Sequence, residues 1–148
     1  TTANIMETPR YDIAQYIKIT PDMSKVRELK AENTAEVQAF LSIRPVHTVV
    51  MSSFIVDNGI ESELNRGKFY GYRNAAGELE GVALIGHSTL VEARTNEALR
   101  ALAVTARTSE TPIHLVMSSG DAANDFWQEM TDGLKKPRLT CVEALFDV

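Results

Sequence analysis

Between Lys68 and Ser88 the sequence KFYGYRNAAGELEGVALIGHS sets two β-prone runs on either side of Asn74-Ala75-Ala76-Gly77, and no other stretch limits the fold as strongly. Gly77 can take the positive φ of a tight turn, so runs this close together pair antiparallel. Side chains alternate along a strand, which puts Tyr70 and Tyr72 on one face and Phe69 on the other. A third β-prone run, TLVEA at 89–93, follows at once. The chain must therefore build a sheet with an antiparallel meander.

The flanking segments change period. From Lys25 the run KVRELK alternates as a strand, and Asn33-Thr34 then caps a helix with Val37, Phe40 and Leu41 at helical spacing. Pro45 interrupts it, and a second apolar stripe at Val46, Val49, Val50 and Phe54 ends at Asn58-Gly59. Beyond the meander, Thr95-Asn96-Glu97 caps a helix whose apolar face is Leu99, Leu102, Ala103 and Ala106. After Thr111-Pro112 comes the strand-like run IHLVM. Ser118-Ser119-Gly120-Asp121 then caps a last helix bearing Phe126, Trp127 and Met130, with Gly133 at its end and RLTCVEALFDV as a closing strand. The order β-α-α-β-β-β-α-β-α-β joins a meander to βα crossovers, so an α/β fold with a mixed central sheet flanked by helices is expected.

Residues 1–24 read as a partly ordered leader carrying Pro9 and Pro21, with Tyr11, Ile13, Tyr16, Ile17 and Ile19 available to dock, and 25–148 as one domain. A chain of 148 residues with 44% apolar side chains needs no metal or disulfide to stabilise its core. Its net charge of -5 argues against a nucleic-acid surface and against anionic lipid, leaving a small molecule or a protein as partner. The single cysteine, Cys141, fits a reducing compartment. With no signal-peptide plan at TTANIMETPR and no membrane-length apolar run, the expected location is the cytoplasm, with no membrane partner.

VRELKAENTAEVQAFL, the meander KFYGYRNAAGELEGVALIGH with ELEGVAL at 78–84, and NDFWQEM ahead of a closing run together resemble the GCN5-related N-acetyltransferase (GNAT) superfamily over residues 26–148. The resemblance implies a mixed, mainly antiparallel sheet. It is nearest to the degenerate N-terminal domain of two-domain bacterial acetyltransferases, in which a second, catalytic GNAT domain follows in the same polypeptide. A working member of the family carries an Arg/Gln-x-x-Gly-x-Gly/Ala loop after its fourth strand, where bare backbone N–H groups at a helix N-terminus hold the diphosphate of acetyl-CoA. The corresponding stretch here, VEARTNEALRAL, has Arg94 but no glycine between Gly86 and Gly120, and it brings the charges of Glu92 and Glu97.

The resemblance thus implies a domain that binds no cofactor and is inactive alone, within a parent that moves an acetyl group from acetyl-CoA to a small-molecule or protein amine. Two other readings stand beside it: a stand-alone acyltransferase that binds CoA through an atypical turn at Arg94, Thr95 and Asn96, and a non-enzymatic dimerising or ligand-sensing module, with a homodimer as one form.

Arg94, Arg100 and Arg107 recur along one helix and read as phosphate ligands or, more simply, a solvated face. Ser118, Ser119 and Gly120 read as an anion nest or as plain capping beside Asp121. His47, His87 and His114 have no metal-ligand spacing, so no metal site is expected. His87, at a strand end, is placed for a general base or a structural role, while His114 and Cys141 fall in β-prone runs and are expected to be core or half-buried. Glu61 and Glu63 read as loop charges. Tyr70 and Tyr72 either line a groove or interface or belong to a strand covered on both faces.

Overall fold

The computed structural model describes residues 20–143. After a 3-10 turn at Met23–Lys25, the elements are β1 (Val26–Glu28), α1 (Thr34–Leu41), α2 (Val49–Asn58), β2 (Gly67–Arg73), β3 (Leu79–Gly86), β4 (Ser88–Ala93), α3 (Asn96–Ala106), β5 (Leu115–Met117) and α4 (Ala122–Thr131). The strands form one five-stranded sheet in the order β1-β2-β3-β4-β5. Neighbours are antiparallel except β4 and β5, which are parallel because the α3 crossover returns the chain in the same direction. This is a mixed, mainly antiparallel sheet flanked by helices.

The central hairpin closes at its expected turn. Asn74 Oδ1 accepts from the N–H groups of Ala76 (2.9 Å) and Glu78 (3.0 Å), and Gly77 has φ +82°. Alternation along β2 and β3 then divides the core between two faces. Leu29, Phe69, Val82, Leu84 and Leu90 pack with Val37, Phe40 and Leu41 of α1 and Met51 and Ile55 of α2. On the opposite face Tyr72, Ala83, Ile85 and Val91 pack with α3 and with Phe126 of α4. Gly81 lets α3 lie close to the sheet: a Cβ there would sit 3.0 Å from both Ala98 Cβ and Leu102 Cδ1.

Two expectations need correction. In α2 the buried side chains are Met51 and Ile55, whereas Val49 and Val50 of the expected stripe point outward, with 47% and 39% of their surface exposed. This helix is apolar around its circumference, so periodicity alone did not select its inner face. No strand forms over 138–143; Leu139, Cys141 and Val142 are exposed there, and the remainder of the run lies outside the described residues, as does the leader up to residue 19. No helix among the described residues is long and apolar enough to cross a membrane.

Candidate functional site

β4 is longer than its parallel neighbour. Pairing runs Ser88↔Leu115, Thr89↔Val116, Leu90↔Met117 and then ends, while β4 continues to Ala93. The chain leaves β5 through Ser118-Ser119-Gly120 into α4, and the Ser118 hydroxyl donates to the Val91 carbonyl at 2.7 Å where the backbone ladder has stopped. The next β4 residue, Glu92, shares the face of Leu90 by strand alternation and points to the α1/α2 side.

Glu92 is the chemically unusual group. Its side chain keeps 8% of its surface exposed, its Oε1 lies 3.5 Å from Arg44 Nη1, and its Oε2 is the one buried side-chain polar atom without a hydrogen-bond partner among the described residues. Burial pushes the Glu92 carboxyl above the ordinary carboxylate range, opposed by the charges of Arg44, His47 and Arg94. Arg44 and His47 come from the α1–α2 connection, which is pinned by the buried Thr48 hydroxyl facing the carbonyls of Leu41 (2.6 Å) and Arg44 (3.0 Å). From there Arg44 spans the gap: its Nη2 donates to Ser119 Oγ at 2.8 Å on the far lip. Arg94 lies over the Phe40 ring, 4.2 Å from its centroid, a cation–π contact that draws its guanidinium to the α1 side.

No known protein-family model, curated protein or solved structure matches the chain. The resemblance to the acetyltransferase superfamily is therefore an expectation carried by the sequence motifs quoted above.

The place that family reserves for a diphosphate, the N-terminus of α3, is built here as a self-capped helix. Thr95 Oγ1 accepts from Ala98 N–H at 3.1 Å and donates to Glu80 Oε2 at 3.3 Å, Glu97 stands in the first turn, and Arg94 N–H is held by the Glu80 carbonyl at 2.8 Å. A diphosphate would have to displace the cap and sit between two carboxylates. The proposed turn of Arg94, Thr95 and Asn96 is thus one capping residue, one arginine directed to Phe40, and one exposed asparagine.

Other candidate residues are distributed over the fold. Arg100 and Arg107 reach from α3 to α4, with Arg100 Nη2 3.4 Å from Glu129 Oε1 and Arg107 Nη2 donating to the Glu129 carbonyl at 2.6 Å. Tyr72 is 4% exposed and packs beneath α3, with Tyr70 half-buried beside it, so both faces of β2 are covered and the pair does not form an open groove. His87 and His114, distant in sequence, bring their rings to 4.2 Å between centroids at the β3–β4 corner, where the His87 carbonyl accepts from His114 N–H at 3.0 Å. His114 is exposed, contrary to expectation. Glu61 accepts from Ala31 N–H at 2.8 Å and so closes a loop. Among the described residues no group of three or more His, Cys, Asp or Glu side chains is placed to hold a metal ion.

The sequence reading noted Glu92 only for its charge and missed its pairing with Arg44. The available signal was a carboxylate inside the β-prone run TLVEA, bracketed by Val91 and Ala93.

Proposed function

We infer that this chain is a GNAT-like domain that serves a larger N-acetyltransferase by packing against its catalytic half and shaping the acceptor side of the cleft, without itself holding acetyl-CoA. The observation that carries this reading is the α3 N-terminus, whose Ala98 N–H is already capped by Thr95 and whose surroundings are the carboxylates of Glu80 and Glu97. Anions are favoured at a helix N-terminus when its N–H groups are free and the neighbouring charge is not negative, whereas here the Ala98 N–H is taken by Thr95 and carboxylates stand beside it.

A packing role is supported by the outer side of α1 and α2. Ile43, Val49, Val50 and Val56 are exposed there at 64%, 47%, 39% and 74%, and Val49 and Val56 border a groove of about 510 Å³ shared with Gln38, Ser52, Ser53 and Asp57. Exposed apolar side chains beside a groove suit a surface that packs against another domain.

Calorimetric titration of the whole chain with acetyl-CoA tests the reading. The expected result is no saturable binding in the micromolar range. Tight binding that is lost on replacing Arg94 would overturn it in favour of a stand-alone acyltransferase using Arg94, Thr95 and Asn96.

A further inference from the structure

His87 and His114 lie far apart in the sequence, without the spacing of metal ligands, and only the pairing of β5 with β4 brings them together. The parallel ladder starts at Ser88↔Leu115, so the two histidines stand just ahead of its first rung. Their backbones are fixed there: His87 N–H donates to the Arg66 carbonyl at 3.0 Å, and the His87 carbonyl accepts from His114 N–H at 3.0 Å. The two rings face each other with centroids 4.2 Å apart and planes tilted by 44°.

Nothing in the protein engages the nitrogens of these rings. Among the described residues neither imidazole takes part in a side-chain hydrogen bond or an ion pair. His87 is half-buried and His114 exposed, so both are reached from solvent. Each neutral ring therefore holds a free lone pair, and neutral imidazole is the commonest protein ligand of transition metals. Arg66, which gives its carbonyl to this corner, is itself exposed, so its guanidinium can remain in water. The net charge of -5 favours the approach of a cation.

The geometry also selects the ion. A metal ion lies in the plane of each ring that binds it, so parallel rings share no such point, whereas planes tilted by 44° do. A metal–nitrogen bond of about 2 Å puts the ion about 3 Å from each ring centroid, and centroids 4.2 Å apart then subtend about 90° at it. That is the angle between adjacent ligands of a square-planar or octahedral ion such as Cu²⁺ or Ni²⁺, and it is narrower than a tetrahedral Zn²⁺ site requires. The exposed His114 ring can turn about its Cβ–Cγ bond to aim a nitrogen at the shared point.

We propose that His87 and His114 form a two-histidine site for a divalent transition-metal ion of the Cu²⁺ and Ni²⁺ class, with water completing its coordination, and that the ion fastens the short edge strand β5 to β4. The site lies at the start of β4, the opposite end of that strand from α3, and it stands whether or not the chain belongs to an acetyltransferase.

Titration of the whole chain with nickel chloride in slightly alkaline buffer, followed by calorimetry and by the urea midpoint, tests the site. One ion per chain is expected, saturating in the micromolar range and raising the midpoint, because an ion that binds only the folded chain shifts the folding equilibrium. His114→Ala, at an exposed position, should weaken binding by at least about ten-fold and abolish the rise in midpoint, and His87→Ala should do the same. His47→Ala and Cys141→Ser remove the third imidazole and the exposed thiol and should leave binding unchanged. Cu²⁺ should bind more tightly than Ni²⁺, and Mg²⁺, which takes oxygen ligands, should not saturate. Paramagnetic broadening by Ni²⁺ should fall on the ring signals of His87 and His114 and spare those of His47. Absence of saturable binding with both Ni²⁺ and Cu²⁺, unchanged affinity in His114→Ala, or loss of binding in Cys141→Ser or His47→Ala would each overturn the proposal.

Discussion

Glu92 and Glu36 each face an arginine, and their surroundings drive their ionisation in opposite directions. Glu36 is half-exposed on α1 and receives two hydrogen bonds from Arg73 at the end of β2, one of 2.7 Å, which hold its carboxyl below the ordinary range. Glu92 is buried with one loose contact, and desolvation holds it above. A carboxyl raised in the folded state keeps its proton longer than in the unfolded chain, so its contribution favours folding at low pH and is lost as pH rises through the interval between the two pKa values. The lowered carboxyl of Glu36 favours folding above the ordinary range, and that contribution is lost as pH falls through its folded pKa. Glu92→Gln is therefore expected to stabilise the protein by about 1 kcal/mol near neutral pH, because it removes a charge held out of water, with the gain gone well below the carboxylate range. Glu36→Gln should cost at most about 1 kcal/mol near neutral pH, as exposed pairs do, and this cost too should vanish in acid. Urea denaturation at the two pH extremes checks both; a destabilised Glu92→Gln at neutral pH would mean that the Arg44 pairing outweighs desolvation. The pairing was illegible in the sequence because it depends on the path of the chain after α1, which Thr48 fixes by bonding back to Leu41 and Arg44.

Elements were legible where period and punctuation agreed. Asn74 to Gly77 forms the expected turn, Thr95 caps α3, and the α3 side chains read as its apolar face are all buried, because each signal is local and each selects one conformation. They failed where the local signal was degenerate. VVMSSFIVDN places apolar residues on every side of α2, so tertiary packing against the sheet chose Met51 and Ile55. The terminal run RLTCVEALFDV has β propensity, but over its described part no neighbouring strand pairs with it, and propensity without a ladder does not make a strand. The α2 assignment has a direct consequence. Ile55, 3% exposed, is expected to cost about 2–4 kcal/mol on truncation to alanine, whereas Val56, 74% exposed, should change stability by no more than about 0.5 kcal/mol. Equilibrium unfolding in urea measures both, and a reversal of that order would mean that the helix presents the other face to the sheet.

Across the whole molecule, the two outer strands are the shortest, three residues each, and they differ in what covers them. α4 covers β5 on one face through Val116. On the other face α1 and α2 pack over the sheet only as far as Leu90 of β4, so Leu115 and Met117, which alternate with Val116, stay 41% and 42% exposed. The outer side of β5 also has no strand beside it among the described residues. An uncovered edge with apolar side chains offers unpaired N–H and C=O groups to another chain, and a charged side chain on such an edge opposes that pairing. Met117→Lys should therefore leave the urea midpoint of the isolated chain almost unchanged, within about 0.5 kcal/mol, since the side chain is a minor part of the core. The same variant should lower concentration-dependent self-association in light scattering, while Val142→Lys, at an exposed position outside the strands, should not. Equal effects from the two variants would show that added charge alone is responsible, and a large loss of stability in Met117→Lys would show that β5 is more deeply packed than its exposure indicates.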